Sequence, residues 1–145
     1  RFCLHEKDQN RRYLLIATGT GVTPYRAMLP QLKKLMDERD VQVLLLFGSR
    51  TEEDLIYRED FYKFAEDNRN FRFMPSFSRE MPENATADAR RGYVQNQLAE
   101  LNPNGAHDIA YLCGNPNMVD TCFEALKEFG LSVHHIRREK YVSSK

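Results

Sequence analysis

At 145 residues, with 41% hydrophobic and 29% charged side chains, the chain has the size of one domain and the composition of an ordinary globular protein. Lys plus Arg and Asp plus Glu both number 21, so the formal net charge is zero. The basic excess of a nucleic-acid or anionic-membrane binder is absent. The three cysteines, Cys3, Cys113 and Cys122, form no CxxC pair. That usage argues for a reducing compartment, here the cytoplasm, and no apolar run approaches membrane-spanning length.

Residues 1–12 are polar and aperiodic apart from Phe2, Cys3 and Leu4, and read as a linker or the tail of an upstream domain. The chain begins at Arg1 within polar sequence, as a piece of a longer protein would. "YLLIA" (13–17) is an apolar run of strand length. Residues 24–38 then place Met28, Leu32, Leu35 and Met36 at helical spacing. Pro24 suits the first helical turn, with Thr23 as its cap. Pro30 removes a hydrogen bond from a helix interior, which predicts a kink or a later start. "VQVLLLFG" (41–48) reads as a second buried strand, "YREDFYKFAED" (57–67) as a helix with Phe61, Phe64 and Ala65 on one face, and "FRFMPSF" (71–77) as a third strand. Residues 78–92 are a long polar loop. A short helix (93–101), a strand "HDIAYLC" (107–113), an amphipathic helix (117–130) closed by Gly130, and a final strand and tail (132–142) follow.

Strand and helix alternate throughout, and the strands are almost continuously apolar. This predicts an α/β, doubly wound, mostly five-stranded parallel sheet with helices on both faces.

Such a sheet binds ligands at the carboxyl ends of its strands. "IATGTGVTP" (16–24) falls there: Gly19 and Gly21 permit close approach and positive φ, Thr18, Thr20 and Thr23 bring hydroxyls, and a following helix offers N–H groups to an anion. The dinucleotide fingerprint G-x-G-x-x-G is not met, because Pro24 takes the third glycine's place, and no GK[ST] is present. By itself the loop is a diphosphate grip or a plain strand-to-helix turn.

Three more stretches end strands on the same edge. After the second strand, where a NAD site would place an acid for the ribose hydroxyls, the chain has Ser49 and Arg50. "SFSRE" (76–80) brings Ser78 and Arg79, and "ARRGYVQ" (89–95) brings Arg90, Arg91 and Tyr93. Arginines and serines beside an aromatic ring suit a 2′-phosphate and a stacked adenine, at about 1.5–3 kcal/mol per charge-assisted contact. Arg90 reads as a solvated loop charge, Arg79 does not. "CGNPNM" (113–118) adds Cys113 at the mouth of the sheet and Gly114 beside it. A cysteine on an apolar strand is usually just buried, but a turn at the ligand edge suggests a role.

Taken together, "GTGVTP", "FGSR…DLIYREDF", "FSRE", "RRGYVQ", "LCGNPNMVD" and "EKY" make Tyr13 to Tyr141 resemble the NADP-binding domain of the ferredoxin–NADP reductase superfamily. The resemblance implies NADP(H) and FAD as cofactors. It implies that Thr18 and the loop Gly19, Thr20, Gly21, Val22, Thr23 and Pro24 hold the diphosphate. Ser78, Arg79 and Arg91, helped by Ser49 and Arg50, would take the 2′-phosphate, with Tyr93 against the adenine. Gly114, Asn115, Pro116 and Met118 would complete the cofactor edge. Cys113 would lie beside the nicotinamide, with Glu139 as its polar companion, and Tyr141 would cover the flavin, although Val142 to Lys145 extend past it. The family's FAD domain precedes this one and its Arg-x-Tyr-Ser type motif is not in this sequence, so residues 1–12 would be its tail and 13–145 the NADP-binding half. The implied partners are that FAD domain and a carrier such as ferredoxin or flavodoxin.

Three alternatives stay open: an NADH-using reductase component of an oxygenase or other electron-transfer chain, a non-catalytic nucleotide-sensing electron-transfer subunit, and a flavin-free dehydrogenase. A metal site is disfavoured, because His134 and His135 would point to opposite faces of a strand and His5 and His107 show no ligand spacing. No G-x-S-x-G hydrolase motif is present.

Overall fold

The computed structural model describes residues 10–140. Tyr141 and Cys3 lie outside the described residues. Six parallel strands form one sheet in the order β4-β3-β2-β1-β5-β6: β1 (Arg12–Thr18), β2 (Gln42–Ser49), β3 (Phe71–Phe77), β4 (Arg90–Arg91), β5 (Asp108–Gly114) and β6 (Ile136–Lys140). The helices are α1 (Thr23–Ala27), α2 (Leu29–Arg39), α3 (Arg58–Asp67), α4 (Leu98–Leu101) and α5 (Pro116–Glu128).

The sheet separates two cores because successive strand residues face opposite sides. Tyr13, Leu15, Val43, Leu45, Phe73 and Tyr111 meet Leu32 and Met36 of α2 and Phe61 of α3 on one face. Leu14, Ile16, Leu44, Leu46, Ala110 and Leu112 meet Leu98 of α4 and Val119, Cys122 and Leu126 of α5 on the other. Each such Leu or Phe contributes about 1.5–3 kcal/mol on burial. The doubly wound reading holds.

The departures have local causes. The sheet has six strands rather than five: the polar loop returns to the edge for two residues, with Ser76 opposite Arg90 and Phe77 opposite Arg91. Two arginines carry no hydrophobic period, so the sequence pattern misses them. Pro30 lies in the first turn of α2, where its missing N–H costs little, and the helix breaks at Met28, whose N–H bonds back to Pro24 and Tyr25. Thr23 does not cap α1; it is the first helical residue, preceded by Val22 with no side-chain cap. His134 and His135 lie in a 3₁₀ turn, Val133–His135, ahead of β6 and not on a strand. Among the described residues no three His, Cys, Asp or Glu side chains gather as a metal group.

Arg12, assigned to the linker by its polarity, opens β1 instead. Its guanidinium grips the buried Asp108 through two bonds of 3.0 and 2.7 Å and donates to the Leu101 carbonyl at 2.8 Å. No described helix is long and apolar enough to cross a membrane.

Candidate functional site

The strand order reverses at β1, with β2 on one side and β5 on the other. Parallel pairing aligns Thr18 with Gly48, Gly48 with Ser76 and Ala17 with Cys113, so the carboxyl ends finish level. Over them opens a cavity of about 540 Å³, within the range of small-molecule sites. Thr18, Gly19, Ser49, Arg50, Asp54, Ser76, Ser78, Gly92, Tyr93, Asn115 and Asn117 are among its lining residues.

Each wall is built by short-range bonding. The ends of β2 and β3 stay zipped past the strands, with Ser78 N–H donating to Ser49 O at 2.9 Å and Arg79 N–H to Arg50 O at 3.1 Å. The buried Ser76 hydroxyl donates to Gly92 O at 2.7 Å, and Gln97 Nε2 donates to Arg91 O at 2.7 Å. These bonds pin the returning loop, and Tyr93 stands on its rim 62% exposed. Arg90 is taken up by Glu100 through bonds of 2.7 and 2.6 Å, which hold the Glu100 carboxyl below and the Arg90 guanidinium above their ordinary ranges. It is thus not the solvated loop charge expected from the sequence but a half-buried, paired residue of β4. Arg79 and Arg91, next in sequence to lining residues, are exposed and form no side-chain hydrogen bond or ion pair among the described residues.

On the β5 side the packing is closed. A Cβ on Gly21 would lie 2.3 Å from Cys113 O, and one on Gly114 would lie 2.4 Å from Thr18 Oγ1. Thr18 Oγ1 accepts from Asn115 N–H at 2.9 Å, and Asn115 Oδ1 accepts from Met118 N–H at 3.1 Å, capping α5. Cys113 and Glu139 are register partners on β5 and β6, and the Cys113 thiol donates to Glu139 Oε1 at 4.0 Å. Tyr25 donates to Ile16 O at 3.1 Å, and burial, then the nearby Cys113, push its hydroxyl well above the ordinary value.

The match to known proteins decides what this edge belongs to. Residues 15–123 match the oxidoreductase NAD-binding domain family. The chain belongs to that family, and its relatives include ferredoxin–NADP reductases. It is 36% identical over 135 residues to ferredoxin–NADP reductase B of Sorangium cellulosum, covering 88% of this chain and 53% of that protein. It is 30% identical over 140 residues to the phenol hydroxylase P5 protein of Acinetobacter pittii, covering 95% of this chain and 38% of the relative. Among solved structures, the Amycolatopsis cytochrome P450 reductase GcoB superposes with a TM-score of 0.79 at 30% identity, covering 97% of this chain and 40% of that one. The chain thus spans roughly a third to a half of the length of these relatives.

In this NAD-binding domain the structure sorts the residues singled out from the sequence. Thr18, Gly19, Ser49, Arg50, Ser78, Tyr93 and Asn115 line the cavity, and Arg79 and Arg91 flank it. Thr20 is exposed on the same loop, whereas Gly21 and Val22 are buried beneath it and Pro24 is half-buried. Gly114 is buried against Thr18, and Pro116 opens α5. Met118 is 2% exposed and its side chain packs in the core under α5 rather than facing the cavity. Cys113 is fully buried, not open at the mouth, while Glu139 is half-buried. The glycine loop is a 3₁₀ turn, Gly19–Val22, and the helix after it has five residues, so a long anion-binding helix does not follow. Sequence reading missed Asp54, Ser76, Gly92, Gln95 and Asn117. All five lay within the quoted "DLIYREDF", "SFSRE", "RRGYVQ" and "CGNPNM", but nothing in their residue type set them apart there from their neighbours.

Proposed function

We propose that this domain binds NADP(H) across the cavity, in preference to NAD(H), as the nucleotide half of an FAD-dependent oxidoreductase. The observation that carries the reading is the rim: hydroxyls of Ser49 and Ser78 and the Arg50 guanidinium line the cavity, and Arg79 and Arg91 flank it with no partner among the described residues. Exposed arginines held beside hydroxyls suit a phosphate monoester, which takes forked, charge-assisted bonds. Tyr93 offers an open ring face for adenine.

The residues present fit a dinucleotide. Gly19 has φ +53° and nothing within 4 Å of its missing Cβ, so its backbone turns into open space where a diphosphate can approach. Thr18 and Thr20 stand on either side of it. At the other end of the edge, Glu139 is the accessible polar group and Cys113 the wall behind it. A bound reduced nicotinamide supplies a hydride, for which the FAD of a second domain is the acceptor. Within this chain the rim arginines bind and orient, Tyr93 covers the base, and the packed β5 end excludes water. In this reading the whole protein is cytoplasmic, joins the domain to an FAD-binding domain and hands electrons to ferredoxin, flavodoxin or a similar carrier.

Calorimetry with NADP⁺ and NAD⁺ tests this. NADP⁺ binds at least about tenfold more tightly, a difference of about 1.4 kcal/mol. Equal affinities overturn the NADP preference and leave the dinucleotide reading standing; no binding of either overturns both.

A further inference from the structure

The sequence shows a cation, Arg50, where doubly wound NAD sites carry an acid at the end of the second strand. The structure returns an acid to that place. Thr51 to Leu55 form a tight turn in which Asp54 N–H bonds to Thr51 O at 3.2 Å and Leu55 N–H to Glu52 O at 3.1 Å. Ser49 Oγ donates to the same Thr51 carbonyl at 2.7 Å, and Leu55 anchors the turn in the core at 1% exposure. The turn is therefore held at both ends, and it brings Asp54 to the cavity wall next to Arg50. Arg50 Nε lies 3.4 Å from Asp54 Oδ2, with the side chains 64% and 47% exposed.

One wall of the cavity thus carries two opposed recognition chemistries. A carboxylate accepts hydrogen bonds from a ribose diol and repels a phosphate; a guanidinium does the reverse. The pair joining them is long and exposed, so it holds weakly, and Arg50 can leave Asp54 for a phosphate oxygen. Resting on the nucleotide reading above, we propose that Asp54 is a specificity-determining residue that limits the preference for 2′-phosphorylated over unphosphorylated adenosine. It opposes the charge of a 2′-phosphate directly and competes for Arg50, whereas with a free 2′-hydroxyl it is an acceptor. Ser78, Arg79 and Arg91 pull toward the phosphate, and Asp54 keeps that pull from becoming exclusive.

The test is titration of the chain, its Asp54→Asn variant and its Glu53→Gln variant with adenosine 2′,5′-bisphosphate and with 5′-AMP. Glu53 lies in the same turn, is exposed, and does not line the cavity. Asp54→Asn removes one charge at near-contact range, so the ratio of the two affinities shifts toward the bisphosphate by roughly fivefold. The shift shrinks in 0.5 M salt, and Glu53→Gln leaves the ratio near its original value. An unchanged ratio in Asp54→Asn, or an equal shift in Glu53→Gln, overturns the role of Asp54 while leaving the cofactor reading intact. If the unaltered chain binds neither nucleotide, the cofactor reading itself falls, and the inference with it.

Discussion

The carboxyl edge of the sheet has two halves that use the same small residues for different ends. Toward β5 the backbones touch: Gly21 lies against the Cys113 carbonyl, Gly114 against Thr18, and Thr18 Oγ1 ties the two loops together. Toward β2 and β3 the edge opens into the cavity, walled by hydroxyls and charges held through turns and weak exposed pairs. Gly19 and Gly21, two residues apart, fall on opposite sides of this divide. Gly19 is glycine because its φ is +53°, with empty space around it; Gly21 has no unusual φ and is glycine because no atom fits beside it. Glycine spacing alone does not separate a ligand-facing position from a packing one. The rigid half fixes where the edge lies, and the open half leaves recognition adjustable.

The sharpest way to break this contrast is to add a methyl group at each glycine. Gly21→Ala drives Cβ into backbone that cannot swing away, and costs about 3 kcal/mol of unfolding free energy. Gly19→Ala meets only the left-handed strain, about 1 kcal/mol. Urea denaturation of both variants reads the difference, and equal losses would mean that the β5 seam yields. On the open half, replacing Arg79 and Arg91 together with Ala weakens adenosine 2′,5′-bisphosphate binding by roughly tenfold or more, with stability within about 0.5 kcal/mol of the parent. A matching fall in stability would make them structural instead.

The smallest effect concerns the dry side under α5. Burial pushes the Cys122 thiol from 9.0 up to about 12. The unfolded thiol ionises from about pH 9 upward while the folded one stays neutral, so its contribution is whole below pH 9 and is lost as pH rises toward 12. Between pH 9 and 10 the loss is about 1 kcal/mol, before the raised Tyr25 hydroxyl adds to it. Cys122→Ala flattens that slope, whatever it does to absolute stability. An unchanged slope would place water at this thiol.

Much of the fold was legible because burial on two faces leaves unbroken apolar runs, and amphipathic helices between them leave a period. β1, β2, β3 and β5 were read nearly to the residue for that reason. β4 was not, since Arg90 and Arg91 are held by backbone pairing, and Arg90 also by Glu100, neither of which depends on hydrophobicity. Met118 shows the converse error: its place in "CGNPNM" suggested the cofactor edge, yet one turn into α5 its side chain points down into the core. The histidines, placed on a strand by continuity with "IRREK", precede it in a tight turn.

The sequence by itself determined the alternation of elements, the family, and the gathering of "GTGVTP", "GSR", "FSRE" and "RRGY" at strand ends, because each is set by local pattern and chain order. Only the tertiary structure decided which of those residues share a surface. It buried Cys113, Val22 and Met118, left Arg79 and Arg91 open, and brought Asp54 back beside Arg50. Those outcomes depend on turns and on contacts between distant strands, where one bond angle or one missing methyl group moves a side chain from wall to core. A linear pattern carries no record of such contacts.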